Sequence, residues 1–286
     1  MVSELGILRS GDEAELFSFC ERYLESSLFF FNNVERAGLE DHGQPFQGTY
    51  AVHRVNGAIT AVAAHAWNGT IMLQGDVGLE QAAAHAAATS GRPVGGLIGP
   101  LSLVARVKNS LGLLDREVAH GGDEILFALD LERIRVPEPL RTGAVECRHP
   151  HDSELELAVA WRVGYCLEML GSMPGAELEQ QCRRQIETLF RSRECWVLVR
   201  DGQPCAFTAF NAVTRGVVQV GGVYTPPELR SRGYARAAVA GSLLEARANG
   251  ATRSVLFTGE ENHGARRAYT SLGYEAIGDW ALVLFR

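Results

Sequence analysis

The amino-acid pattern predicts an α/β protein built twice on one plan. Strand-like apolar runs and helix-period patterns alternate along the whole chain. Pro137, Pro139 and Gly143 interrupt that alternation near the middle, as a linker would. The elements on either side of the break follow the same coarse order, which is the mark of an internal duplication. The expected division is a first domain over 1–136, a linker over 137–143 and a second domain over 144–286.

In the second half, residues 144–148 read as a short strand. His151 or Asp152 is placed to cap a helix that carries Leu155, Leu157, Ala158 and Trp161. A second helix is expected over 177–191. Two apolar runs, 195–200 and 205–211, flank Asp201-Gly202 and predict a hairpin. Further strands are expected over 217–224 and 254–258, and helices from about Gly233 and over 263–272. Two last strands, 275–277 and 280–285, are expected to close the sheet of this half.

The first half echoes this order. Helical patterns fill 12–25 and 28–38, and a hairpin is expected at Asn56-Gly57. A short strand at 71–73, an Ala-rich helix over 79–89, a Gly-rich turn, a helix ending at Leu111-Gly112 and a strand over 124–129 complete it.

Composition narrows the function classes. The chain has 286 residues, of which 46% are hydrophobic and 21% charged, as in ordinary globular proteins. No apolar run reaches membrane-spanning length. The first residues lack a basic stretch followed by an apolar one, so a cytoplasmic protein is expected. Six cysteines are scattered without a Cys-x-x-Cys pair, which points to reduced thiols. The dispersed histidines suggest no metal site. A net charge of −7 argues against nucleic acid as a partner and weakly favours a cationic substrate such as an amine.

The most informative segment joins the 217–224 strand to the following helix. Arg230, Arg232 and Arg236 surround Gly233 and Ala235 there. A helix start offers unpaired N–H groups and the positive end of the helix dipole. Gly233 admits close backbone approach, and Ala235 nearly so. Together these make a cradle for a diphosphate.

The pattern Arg230-x-x-Gly233-x-Ala235 resembles the (Arg/Gln)-x-x-Gly-x-(Gly/Ala) loop of GNAT-type N-acetyltransferases. A second block, Asn262-x-x-Ala265-x-x-x-Tyr269-x-x-x-Gly273-Tyr274, is similar to another block of that family and follows at the usual distance. The resemblance implies two GNAT-like domains, each a mixed, mostly antiparallel sheet flanked by helices. It implies acetyl-CoA as co-substrate, no metal, and transfer of acetyl to an amine of a small molecule.

The resemblance also implies residue roles. Backbone groups of Val223, Tyr224 and Thr225 would meet the pantetheine arm and the thioester oxygen. Arg230, Ser231, Arg232, Gly233, Tyr234, Ala235 and Arg236 would form the diphosphate loop. Tyr269 would protonate the departing thiolate, or simply be a half-buried helix tyrosine. Asn262 would bond pantetheine or cap its helix, and Arg266 would reach the phosphates. The general base stays open, among Glu168, His263 and a water chain. A mobile loop over 168–176, with Met169 and Met173, would border the acceptor pocket.

The first half lacks these features. Gly75-Asp76-Val77-Gly78-Leu79-Glu80 stands where the cradle belongs, and its carboxylates repel a diphosphate. With Leu111-Gly112 matched to Leu272-Gly273, Lys108 falls opposite Tyr269 and Leu101 opposite Asn262. This copy is expected to be degenerate. Two rival readings remain: a non-catalytic acyl-CoA sensor, and a transferase with another acyl donor.

Overall fold

A computed structural model describes residues 2–286. In chain order its elements are β1 (Ser3–Ile7), α1 (Glu13–Glu21), α2 (Leu28–Ala37), β2 (Gly48–Val55), β3 (Ala58–Ala66) and β4 (Thr70–Gly75). Then come α3 (Leu79–Ser90), β5 (Gly96–Pro100), α4 (Leu101–Ser110), β6 (Val118–His120), β7 (Glu124–Asp130), α5 (Glu138–Arg141) and β8 (Glu146–Arg148). The chain continues with α6 (Leu155–Met169), α7 (Ala176–Ser192), β9 (Cys195–Arg200), β10 (Gln203–Thr214) and β11 (Val217–Tyr224). It ends with α8 (Tyr234–Ala248), β12 (Arg253–Gly259), α9 (His263–Leu272) and β13 (Glu275–Phe285).

Two compact units result, and their boundaries differ from those expected. Among the described residues, one unit holds 2–125 and 278–286; the other holds 126–277. The 137–143 segment is not a free linker, since Glu138–Arg141 forms a helical turn inside the second unit. The strand order is β1-β2-β3-β4-β5-β13 in the first unit and β7-β12-β11-β10-β9-β8 in the second. The last strand of each half has therefore changed places. Trp280–Leu284 of β13 pairs antiparallel with β5, and β7 lies beside β12. Local sequence fixes a strand's length and faces, but not which sheet edge it joins, and 280–285 pairs in the first unit's sheet instead of closing that of the second half.

The local signals explain most elements. Asn56-Gly57 and Asp201-Gly202 all adopt positive φ, as a tight hairpin between right-twisted strands requires. Leu178, Cys182 and Ile186 recur on one buried face of α7. Glu154 accepts from the His151 N–H at 2.7 Å, which sets the start of α6. The 91–99 region is a turn followed by a strand: β5 is buried, and its two-glycine sequence concealed it.

The duplication is visible in the register. In the first unit, β4 runs parallel to β5 over Thr70–Gly96, Ile71–Leu97 and Met72–Ile98. In the second, β11 runs parallel to β12 over Val217–Arg253, Val218–Ser254 and Gln219–Val255. Both pairs then part. Each first strand leads into a helix, α3 or α8, preceded by a glycine in the left-handed conformation.

The copies diverge at that point. Only Asp76 and Val77 separate β4 from Gly78, whereas Thr225 through Arg232 separate β11 from Gly233. Arg106 binds Asp76 at 2.6 Å and Glu80 at 2.8 Å across the α3 start. A methyl group at Gly78 would lie 2.0 Å from the His53 ring. The α3 start is thus filled by protein groups.

Candidate active site

The second unit keeps an opening where the first is filled. Beyond Gln219 no β11 residue pairs with β12, although β10 still covers the other edge of β11 through Tyr224. The parted strands leave a cleft floored by Gly221, Gly222 and Val223, which are only partly buried. Pro226 and Pro227 follow, and neither has an N–H with which to extend the ladder.

The loop from Thr225 to Gly233 then turns back. A single 3₁₀ turn covers Pro227–Leu229, and Ser231 and Gly233 both have positive φ, 62° and 76°. The first bond of α8 runs from the Ala237 N–H to the Gly233 carbonyl at 3.1 Å. The N–H groups of Tyr234, Ala235 and Arg236 precede any helical acceptor. They sit at the positive end of the helix dipole.

The three loop arginines do different work. Arg232 donates to the Glu228 carbonyl at 3.2 Å and keeps its remaining donors exposed. Arg236 reaches Ser271 of α9 at 3.5 Å, while its buried Nε has no partner. Arg230 is already engaged. Its Nε donates to the Thr225 carbonyl at 2.9 Å and its Nη2 to Glu168 at 2.5 Å. The charge expected there for phosphates is largely neutralised by a carboxylate.

Tyr234 does not present its side chain to the cleft. Its ring packs with Leu198, Ala206 and Ala237, and its hydroxyl accepts from Arg200 at 2.9 Å. Tyr224 likewise turns under α6, among Trp161 and Phe207, and donates to Glu168 at 3.0 Å. Gly164 makes this possible, because a methyl group there would lie 2.6 Å from the Tyr224 hydroxyl. Only backbone groups of these two tyrosines remain for a ligand.

Glu168 is held below the ordinary carboxylate range by the Arg230 hydrogen bond first, with Tyr224 assisting against burial. Tyr269 is the opposite case. Burial pushes its phenol well above the usual value, with the nearby Tyr165 adding to the shift. Its ring packs edge-on against Tyr274 at 5.9 Å, and its hydroxyl makes no hydrogen bond. Asn262 caps α9, its Oδ1 accepting from the Ala265 N–H at 3.1 Å. Arg266 donates to the Glu260 carbonyl at 2.8 Å.

Several buried polar atoms near the parting strands are unpaired: Thr208 Oγ1, Gln219 Oε1 and Thr225 Oγ1. Each such atom costs about 1–3 kcal/mol unless a partner arrives. Sequence reading named Glu168 but missed Arg162 and Tyr165 on the same face of α6. Arg162, Tyr165 and Glu168 recur at helical spacing and face β11, α9 and the loop respectively. That polar recurrence within an apolar helix was the available signal. Among the described residues no cluster of side chains could hold a metal ion, and no helix is long and apolar enough to cross a membrane.

Comparison with known proteins accords with this architecture. Residues 165–274 match the model of the acetyltransferase (GNAT) family. A Drosophila protein of known structure matches with a TM-score of 0.70 and 13% identity, over 98% of both chains. A GCN5-related N-acetyltransferase from Sphaerobacter thermophilus matches with a TM-score of 0.61 and 14% identity, over 98% of this chain and 94% of that one. A tandem GNAT protein from the clavulanic acid biosynthesis pathway matches with a TM-score of 0.59 and 14% identity, over 99% and 98%. No curated protein matches the chain. The parted strands, the open helix start and the segment that matches the acetyltransferase (GNAT) family model thus all lie in the second unit, and the chain shares its fold over nearly its whole length with solved GNAT proteins, a tandem one among them.

Proposed function

We propose that the second unit transfers an acetyl group from acetyl-CoA to a primary amine of a small molecule. The observation that carries this reading is the parting of β11 from β12 just before an open helix start. The unpaired buried atoms there fit a polar ligand threaded between the strands. Acetyl-CoA would supply an activated acetyl thioester.

The N–H groups of Tyr234, Ala235 and Arg236, with Arg232, would hold the diphosphate. The backbone N–H of Val223 or Tyr224 would lie beside the acyl oxygen and stabilise negative charge on it. Tyr269 keeps a proton on a hydroxyl with no competing partner, suited to a departing thiolate. Glu168 is engaged and depressed, so an amine arriving neutral, or losing its proton through water, fits best. That same feature supports a second reading, an acyl-CoA-binding module without transferase activity.

Calorimetry with acetyl-CoA and an amine-panel assay separate the two. Binding with acetylation of some amine supports the enzyme. Binding without acetylation supports the module. No binding defeats both.

A further inference from the structure

Helix α6 carries a cation that no described carboxylate neutralises. Arg162 donates its Nε to Gln185 at 3.0 Å, and its guanidinium lies 5.0 Å over the Tyr165 ring. Gln185 is neutral, so the positive charge remains uncompensated, and both terminal nitrogens are unengaged. Of the loop arginines, Arg230 is neutralised by Glu168, while Arg232 and Arg236 bond a carbonyl and a hydroxyl and belong to the loop proposed to hold the diphosphate.

The position of Arg162 is equally specific. A methyl group at Gly222 would lie 3.3 Å from Arg162 Nη1. Gly222 has a φ of 61°, which β-branched or bulky residues avoid, and it lies in the unpaired part of β11. The preceding residue is also glycine. A methyl group at Gly221 would lie 2.0 Å from the Asn211 carboxamide, which therefore rests against that backbone. Two adjacent glycines thus keep the strand bare beneath one cation and one amide. The Tyr165 ring and the Gln185 bond engage one side of the guanidinium and leave its two terminal nitrogens without a hydrogen-bond partner.

A guanidinium held this way matches an oxyanion, since its planar fork donates two parallel N–H groups. Arg162 lies on the helix that leads into the 170–175 loop, the segment that the GNAT resemblance implies borders the acceptor pocket. Its target is then the molecule that enters beside Gly222. Resting on the acetyltransferase reading above, we infer that the acceptor is a primary amine that also bears an oxyanion, and that Arg162 recognises that group. Arg162 is a specificity-determining residue in this scheme and takes no part in proton transfer.

The test uses the full chain and a panel of amines in matched pairs: amino acids with their amides, and aminoalkyl phosphates with the corresponding amino alcohols. The best acceptor should carry an oxyanion and lose about tenfold or more in kcat/KM when that group is neutralised. Whether it is a carboxylate or a phosphate is read from the two arms. Arg162→Gln should abolish the preference through KM, with the neutral partner's kcat kept. Arg162→Lys should restore part of it. Calorimetric affinity for acetyl-CoA should stay the same in all three proteins, which checks folding and the cofactor site independently of activity. The acetylated product should bind wild type more tightly than its neutral analogue, and this difference should vanish in Arg162→Gln. A best acceptor that is neutral or purely cationic overturns the inference and leaves the acetyltransferase reading standing. So does a preference that survives in Arg162→Gln. Failure of every amine to react overturns both.

Discussion

Glu168 and Arg230 meet at 2.5 Å, joining the end of α6 to the loop before α8. The pair ties α6 to the loop proposed above to hold the diphosphate. Both side chains are partly exposed, at 36% and 45%, so solvent weakens the bond. Its consequence is electrostatic: the carboxylate cancels a positive charge where a diphosphate is expected. Glu168→Gln should tighten acetyl-CoA binding about two- to fivefold at low salt, with the gain shrinking at high salt. Titration calorimetry at two ionic strengths checks this, and weaker binding would make Glu168 a support for Arg230 instead.

The same pair has a pH signature. The folded-state pKa of Glu168 is depressed, so its stabilising contribution is present above the ordinary glutamate range near 4.3 and is lost as pH falls through the depressed value. The difference in melting temperature between wild type and Glu168→Gln should therefore be flat from neutral pH down to about 5 and close in stronger acid. A difference that grew on acidification would contradict the assignment.

Tyr269→Phe removes a hydroxyl that bonds nothing, so the fold should tolerate it, with a melting temperature within a degree or two of wild type. Turnover should drop about 100-fold or more while acetyl-CoA affinity is unchanged. Because the phenol is pushed well above 10, wild-type activity should show no loss from Tyr269 ionisation up to about pH 10. Undiminished turnover in the phenylalanine variant removes Tyr269 from the chemistry.

Gly164→Ala would place a methyl group 2.6 Å from the Tyr224 hydroxyl. The ring must shift, and with it the bond to Glu168. A cost of about 1–3 kcal/mol is expected, read as a lowered denaturant midpoint. Adding Tyr224→Phe should recover part of that loss.

The exchanged strands predict how fragments behave. A 144–286 fragment, cut at the sequence-level boundary, lacks β7 beside β12 and carries β13 without β5. It should be poorly soluble, because an unpaired strand edge is a template for association. The full chain should bind one acetyl-CoA, since Arg106, Asp76 and Glu80 fill the α3 start. A stoichiometry of two would refute this.

Much of the architecture was legible in the sequence because it depends on local patterns. Hairpins at Asn56-Gly57 and Asp201-Gly202, the apolar stripe of α7 and the glycine before α8 are each set by neighbours within a few residues. The Arg230–Arg236 segment was recognisable for the same reason, since a helix start and its preceding loop are contiguous. Tertiary structure alone decided what depends on distant partners. Arg230 looked like a phosphate ligand until α6 brought Glu168 against it. The Tyr234 side chain is turned away from the loop by Arg200, which leaves only its backbone N–H at the cradle. The exchange of β7 and β13 leaves no local trace, because a strand's own residues specify its faces while its neighbours are specified by the rest of the chain.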